Sequence, residues 1–207
     1  MDENIPESLR QISIQLLNTI AETQPYLIER IPALLDLLCN DLCKSMLQNL
    51  HTENLDRLNL TMRLFFNLHI SLRRHLKVQF EVFFNNLLEF ILLKRHVTFE
   101  KQEIVLENLV QFFYQPDFLA DIFANYDCHI HCTNTLEALS TFLYKSAFPL
   151  NGSLYSIQFL SLECLLAILE TISSRCIDSD SACIVDETTS NLLTQRKSKA
   201  IVCTYIL

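Results

Sequence analysis

Apolar and polar residues along the chain recur with the spacing of an α-helix. In segment 33–50, ALLDLLCNDLCKSMLQNL, leucines and a methionine lie three or four positions apart from Leu34 to Leu50. Residues three or four positions apart share one face of a helix, so the pattern predicts a helix with one apolar side. Segments 55–72 and 76–93 have the same spacing and predict two further helices.

Prolines mark the ends of several predicted helices. Pro6 and Pro32 suit the first turn of a helix, because that position needs no backbone N–H. Pro25 and Pro116 interrupt the helical pattern, so the helices on either side of each are predicted to be separate. Segment 116–126, PDFLADIFANY, predicts a shorter helix.

Polar residues predict where three later helices begin. Thr98 is an expected N-cap, and Asn134 with Glu137 three residues on is similar to a capping box. Ser153 is expected to cap the last helix, over 153–172. That helix is apolar nearly all round, so we expect it to be buried between neighbours.

The scarcity of glycine supports an all-α fold. The chain has one glycine, Gly152, whereas dinucleotide fingerprints, P-loops and nucleophile elbows need several. We predict an all-α fold of about eight antiparallel helices of roughly 11–20 residues. An α-solenoid of the armadillo or HEAT kind is the preferred architecture, and a closed bundle is the alternative.

The last part of the chain differs from the rest. From about Ile177 the sequence is polar, rich in serine and threonine, and has no sustained helical stripe. We therefore predict a helical domain over residues 1–176 and a largely disordered tail over residues 177–207.

Charge and composition exclude several classes of protein. A formal net charge of −8 argues against a nucleic-acid-binding protein. No uninterrupted apolar run reaches the roughly 18 residues of a membrane span, and the acidic N-terminus is unlike a signal peptide. Without a secretory signal, the eight cysteines are expected to be free thiols.

The segment 124–132, ANYDCHIHC, is the densest cluster of reactive side chains, and a metal site is the first alternative for it. If this segment were helical, Cys128, His131 and Cys132 would share one face, and Cys39 and Cys43 have a similar spacing elsewhere. No familiar zinc motif is present, so we expect no metal and no cofactor.

Two other interpretations of this segment remain. A Cys128 nucleophile with His129 as its base is disfavoured, because adjacent residues on a helix point apart. We prefer a helix-entry motif in which Asp127 caps the next helix, Tyr126 is buried with its hydroxyl bonded, and Asn125 contributes a further capping bond.

Segment 125–170, NYDCHIHCTNTLEALSTFLYKSAFPLNGSLYSIQFLSLECLLAILE, resembles the HUS region of large Arf-type guanine-nucleotide exchange factors. The most similar group is that of the Golgi brefeldin A-resistance factors, and the resemblance covers residues 10–175. The family's box reads Asn, aromatic, Asp, Cys, then Asp or Asn. It is met by Asn125, Tyr126, Asp127 and Cys128, and this chain departs from it at His129.

The resemblance implies a non-catalytic, armadillo-like regulatory module that contacts an upstream dimerisation and cyclophilin-binding domain. This contact would tune membrane recruitment and exchange on Arf GTPases, in the cytoplasm at the periphery of Golgi membranes. The box at residues 125–129 would set the angle between helical pairs, and no catalytic exchange domain is expected in this chain.

A generic helical scaffold that binds a peptide or protein is the alternative, and a zinc protein is a more distant one. In a solenoid, apolar faces at both ends of the chain would favour self-association.

Overall fold

The structure is a computed structural model that describes residues 6–89, 97–115, 117–148 and 155–181; for residues 25–27 and 176–181 it describes the backbone alone. Within these ranges the chain forms helices and no strand, which confirms the all-α prediction. The α-helical segments are α1 Glu7–Thr23, α2 Pro25–Arg30, α3 Pro32–Leu37, α4 Cys43–Leu50, α5 Leu55–Leu72, α6 Lys77–Leu87, α7 Phe99–Phe113, α8 Phe118–Ile122, α9 Thr135–Ala147 and α10 Ser156–Ser181. Two π-helical turns, Leu38–Leu42 and Phe123–Asp127, join α3 to α4 and extend α8.

Local sequence explains several helix ends. The side chain of Asn54 accepts a hydrogen bond from the backbone N of Arg57 at 3.0 Å, and so caps α5. Pro32 occupies the first position of α3, as expected, and Pro25, predicted only to interrupt the pattern, opens the short helix α2. Thr98 precedes α7 with an extended backbone, but its side chain makes no capping hydrogen bond.

The helices stack in two rows. In the first row, α5 packs between α1 and α7, and α7 packs against α10; in the second row, α6 contacts both α4 and α9. Side-chain hydrogen bonds join equivalent places in successive layers. Asn67 donates to Asn18, and Asn108 donates to Asn59, each across 49 positions of the chain at 3.0 Å. This repeated stacking of neighbours is the arrangement of an α-solenoid.

Phenylalanines fill the space between the rows. The ring of Phe65 stacks on Phe83 with a centroid distance of 4.0 Å and meets the rings of Phe80 and Phe84 edge-on at 5.0 Å. Phe112 of the next layer joins the same cluster, and all five side chains are buried. The cluster joins α5, α6 and α7 into one core, on which the later elements pack.

The last helix is less buried than its composition suggested. One face of α10 packs on α7 and α9, but Phe159, Leu162, Leu166 and Leu169 on the other face are between 39% and 60% exposed. The expectation of a fully buried helix is therefore wrong. An apolar composition shows that both faces of a helix are hydrophobic. It does not show whether this part of the chain contains enough other helices to bury both faces.

The hydropathy of α10 also corrects an expectation. By length and composition, Ser156–Arg175 would suffice to cross a membrane, with a mean hydropathy of 1.4, although no such segment was expected. A third of this stretch is buried against the protein's own helices, and core helices of folded domains can reach the same length and hydropathy. Composition alone is therefore weak support for a membrane span.

Several predicted boundaries differ from those observed. The helix predicted over 76–93 is described as α6 up to Leu87, and the remainder beyond residue 89 lies outside the described residues. Pro116 and Ser153 also lie outside them. Instead of eight helices of at least 11 residues, the described part of the chain has ten α-helical segments of 5 to 26 residues. α10 continues to Ser181, so residues 177–181 are helical although they were assigned to the tail.

Candidate protein-interaction site

The predicted box lies at the junction between α8 and α9. Asn125, Tyr126 and Asp127 belong to the π-helical turn Phe123–Asp127, which continues directly from α8. Cys128 and His129 follow in the loop that leads to α9. The structure thus places the box between two helices, as the helix-entry interpretation expected. The first three residues of the box extend α8, and none of the five belongs to α9.

Asp127 caps α9 although it lies several residues before the helix in the sequence. Its Oδ2 accepts a hydrogen bond from the backbone N of Leu136, and its Oδ1 accepts one from the backbone N of Glu137, both at 3.1 Å. Burial raises the pKa of Asp127, while these two amide hydrogen bonds act in the opposite direction. The carboxylate thus satisfies two of the free amides at the start of α9, and each bond is worth about 1 kcal/mol.

Asn134 does not provide the cap that was predicted for it. Its side chain makes no capping bond to the helix backbone, and its Nδ2 donates to Glu137 Oε2 at 2.7 Å. Because Asp127 already binds the amides of Leu136 and Glu137, the position of the usual capping partner is taken. A capping-box pattern identified the start of α9 correctly but not the residue that caps it.

Tyr126 attaches the box to α6. Its side chain is 2% exposed, and its hydroxyl donates to the backbone carbonyl of Lys77 at 3.2 Å. Burial, with the nearby Glu81 carboxylate as the next cause, raises the pKa of Tyr126 well above its usual range. Tyr126 therefore stays neutral and acts as a hydrogen-bond donor, as a buried tyrosine is expected to do.

Asn125 acts on the preceding helix and not on the following one. Its Nδ2 donates to the backbone carbonyl of Asp121 in α8 at 2.9 Å. The further capping bond expected of Asn125 is thus made to the end of the first helix, because this residue lies within the π turn and faces back along it. It satisfies one of the carbonyls at the end of α8.

Cys128 and His129 are exposed. The Nδ1 atom of His129 lies 3.5 Å from the Sγ of Cys132 and accepts a hydrogen bond from the backbone N of His131 at 3.3 Å. Partial burial and the Glu81 carboxylate raise the pKa of the Cys132 thiol. A raised pKa disfavours the thiolate, so the contact with His129 does not produce a reactive cysteine.

The metal alternative loses its geometric basis. Residues 128–132 form a turn and not a helix, so Cys128, His131 and Cys132 do not share a helix face. Within the described ranges, no three His, Cys, Asp or Glu side chains are placed to hold a metal ion. The thiol alternative was disfavoured on the assumption of a helix, which the turn replaces, and the His129 imidazole faces Cys132 and not Cys128.

A second set of hydrogen bonds between this loop and α6 could not be predicted from the sequence. Glu81 Oε1 accepts hydrogen bonds from the backbone N of Thr133 at 2.7 Å and from its hydroxyl at 3.1 Å. The hydroxyl also lies 3.1 Å from Asn85 Oδ1. The partners are 48 or 52 positions apart, and no local pattern signals contacts at that distance. Together with Tyr126, they fix α6, α8 and α9 relative to one another.

Comparison with known proteins identifies the family. The model of the Mon2/Sec7/BIG1-like HUS domain matches residues 2–135, a range that contains the whole box. The chain belongs to the HUS domain family. The resemblance inferred from the box is thereby confirmed.

Relatives of this HUS domain are large exchange factors. It is 32% identical over 186 residues to the Golgi-specific brefeldin A-resistance guanine nucleotide exchange factor 1 homolog of Caenorhabditis elegans, covering 87% of the chain and 9% of that protein. It is 32% identical over 175 residues to the ARF guanine-nucleotide exchange factor GNOM of Arabidopsis thaliana, covering 84% and 12%. It is 27% identical over 167 residues to the human brefeldin A-inhibited guanine nucleotide-exchange protein 1, covering 77% and 9%.

The chain therefore spans about a tenth of the length of these relatives. No solved structure matches it. The relatives are named as guanine-nucleotide exchange factors, and one of them as Golgi-specific.

Proposed function

We propose that this HUS domain is a non-catalytic protein-interaction module of a Golgi Arf exchange factor. The observation that carries the proposal is the family match over residues 2–135, which contains the box, α6 and α8 and ends where α9 begins. The matched relatives are named as ARF guanine-nucleotide exchange factors, or as Golgi-specific. Arf GTPases would be indirect partners, reached through other parts of the parent protein.

The box would contribute by holding three helices at fixed angles. Tyr126 binds the first residue of α6, Asn125 binds the end of α8, and Asp127 binds the start of α9. A docking surface made of several helices keeps its shape only if these angles are fixed. We propose that the box acts in this way, with exposed Cys128 and His129 at its rim. The family's acid at the fifth position is replaced by His129, so a contact that needs a negative charge there would be lost.

The docking surface itself would include the outer face of α1. Leu9, Ile12, Leu16 and Ile20 form one stripe on this first helix and are 36% to 61% exposed. A solenoid exposes an apolar stripe at its end where another helical unit packs. We propose that the upstream dimerisation and cyclophilin-binding domain of the parent protein covers this stripe.

A calorimetric titration tests the proposal. The chain is titrated with the separately purified upstream domain of the same parent protein, alongside Leu16→Glu, Asp127→Ala and the control Leu166→Glu. Leu16 and Leu166 are 61% and 55% exposed at opposite ends of the stack, so the two charges replace equivalent surface leucines. We expect Leu16→Glu to weaken binding at least about tenfold, which corresponds to about 1.4 kcal/mol, and Leu166→Glu to bind normally.

Asp127→Ala should also weaken binding, because it loosens the junction. Absence of binding by a folded wild-type chain would argue against the proposal and favour a generic helical scaffold with another partner. Equal loss in Leu16→Glu and Leu166→Glu would show that α1 is not the specific surface.

Catalysis and membrane contact are tested separately. We expect the chain alone not to accelerate nucleotide release from an Arf GTPase, and acceleration would contradict a non-catalytic role.

We place the parent protein in the cytoplasm, peripheral to Golgi membranes. A net charge of −8 makes attraction to anionic lipid an unsuitable recruiting force. The chain should therefore not float with phosphatidylserine vesicles at physiological salt.

A further inference from the structure

The outer face of α10 carries a regular apolar stripe. Its members lie alternately three and four residues apart and are 39% to 60% exposed: Phe159, Leu162, Leu166 and Leu169. This is the spacing of a seam along which a second segment lies lengthwise. The opposite face of α10 is already covered by α7 and α9, so the stripe forms the outer surface of the last layer.

An acidic edge borders this stripe. Glu163 and Glu170 are both exposed and lie seven residues apart, on the same side of the helix. Two copies of α10 paired in antiparallel orientation would bring these glutamates opposite one another, which is unfavourable. The charge therefore favours an occupant that combines apolar side chains with basic ones.

The chain contains such a segment further along the sequence than α10. Residues 200–207, AIVCTYIL, are almost entirely apolar, and Arg196, Lys197 and Lys199 precede them. Between Ser181 and residue 196 the sequence has one apolar run, ACIV at 182–185, and one apolar pair, Leu192 and Leu193; its other residues are polar or acidic, and none is basic.

The length of the intervening chain is sufficient. Residues 182–196 can span up to roughly 50 Å when extended. Glu170 lies about 17 Å along the helix from Ser181, and Glu163 about 27 Å. The basic residues can therefore reach the acidic edge, and residues 200–207 can then continue along the stripe toward Phe159.

We propose that residues 192–207 fold back onto the outer face of α10, with the apolar segment 200–207 against the stripe and the basic residues beside Glu163 and Glu170. This segment would cover the outer surface of the last layer that the structure describes, where an exposed apolar face otherwise requires a polar cap. The inference does not depend on the proposed role in Arf exchange.

Thiol labelling of the stripe tests this. Leu166→Cys places a thiol in the middle of the stripe, and its alkylation rate is followed by peptide mass spectrometry, which separates it from the native cysteines. We expect the rate in the full chain to be about tenfold lower than in a chain ending at residue 191, which corresponds to about 1.4 kcal/mol of docking free energy. Ile12→Cys, on the exposed face of α1, is the control and should react equally in both lengths.

A charge exchange tests the specific pairing. Arg196→Glu, Lys197→Glu and Lys199→Glu together should raise the alkylation rate of the thiol in the full chain to that of the short chain. Adding Glu163→Lys and Glu170→Lys should restore protection, because the signs on both sides are then reversed. Circular dichroism checks that each variant keeps its helices.

Two results would overturn the proposal. Equal alkylation of Leu166→Cys in the full and short chains would show that residues 192–207 do not cover the stripe. Protection that persists in the short chain and increases with protein concentration would show that a second copy covers it.

Discussion

At the scale of single residues, Asp127 has the most clearly defined task. It binds the backbone amides of Leu136 and Glu137 with its two separate oxygens. We expect Asp127→Ala to lower the free energy of unfolding by about 1–2 kcal/mol, because both amides lose their partner. Asp127→Asn should cost less, since its single amide oxygen can still accept one bond.

Chemical denaturation followed by circular dichroism measures both effects. Asp41→Ala, at an exposed position of the first π-helical turn, is the matched control and should change stability little. If Asp127→Asn proved as destabilising as Asp127→Ala, the charge and not the pair of hydrogen bonds would be the stabilising feature.

His69 makes stability depend on pH. It is 4% exposed and lies between the rings of Phe80 and Phe118, with centroid distances of 5.1 and 5.0 Å. Burial, with Arg73 as a second cause, lowers the pKa of His69 from 6.5 to about 4. The unfolded chain therefore binds a proton that the folded chain does not, so stability is complete above about pH 6.5 and is lost as the pH falls toward 4.

Between pH 7 and pH 5, the wild-type unfolding free energy should fall by about 2 kcal/mol more than that of His69→Leu. Denaturant titrations at the two pH values measure the difference, and the other histidines cancel because both proteins contain them. Equal pH dependence in the two proteins would mean that His69 is protonated in the folded state.

At the scale of elements, the contact between α10 and α7 contains two hydroxyls in opposite situations. Thr171 Oγ1 donates to the carbonyl of Phe113 at 3.0 Å. The Oγ of Ser161, on the same face of α10, is buried and has no hydrogen-bond partner among the described residues. Burying an unpaired hydroxyl costs free energy, whereas a paired one contributes about 1 kcal/mol.

Removing each hydroxyl should therefore change stability in opposite directions. We expect Ser161→Ala to raise the unfolding free energy by about 1 kcal/mol and Thr171→Val to lower it by a similar amount. Ser45→Ala, at an exposed position of α4, measures the part due to helix propensity alone. A loss of stability in Ser161→Ala beyond that control would show that the serine has a partner.

The helices also show which structural features could be predicted from the sequence and which could not. The limits of α5 were predicted to the residue, because its cap at Asn54 and its apolar spacing are local features. The bond of Tyr126 to Lys77 and the Asn18–Asn67 pair could not be predicted, because both join positions 49 residues apart. The exposed face of α10 was missed for a similar reason. Which helices pack against α10 depends on the whole stack and cannot be predicted from the sequence of that helix alone.

At the scale of the whole molecule, the solenoid prediction was confirmed, but its ends decide how the molecule behaves. α1 and α10 each pack on one side and present an apolar stripe on the other. We assign the first stripe to an upstream domain and the second to the chain's own residues 192–207. Neither assignment follows from composition, because an apolar stripe carries no information about what covers it.

Stacking by layers also predicts that damage at one end stays local. Ala21 is 2% exposed in the contact between α1 and α5, where Ser71 Oγ donates to its carbonyl at 3.4 Å. Ala21→Glu buries a charge there and should release α1. Because each layer contacts only its neighbours, the exchange protection of α9 and α10 should be retained.

Hydrogen exchange resolved by peptide measures this, with Leu16→Glu on the exposed face of α1 as the control that keeps its protection. We expect the α1 amides of Ala21→Glu to exchange much faster than those of the control, while the peptides of α9 and α10 are equal in both. If protection fell equally in α1 and α10, the helices would unfold as one cooperative unit. The molecule would then behave as a closed bundle, the architecture that the sequence left as the alternative.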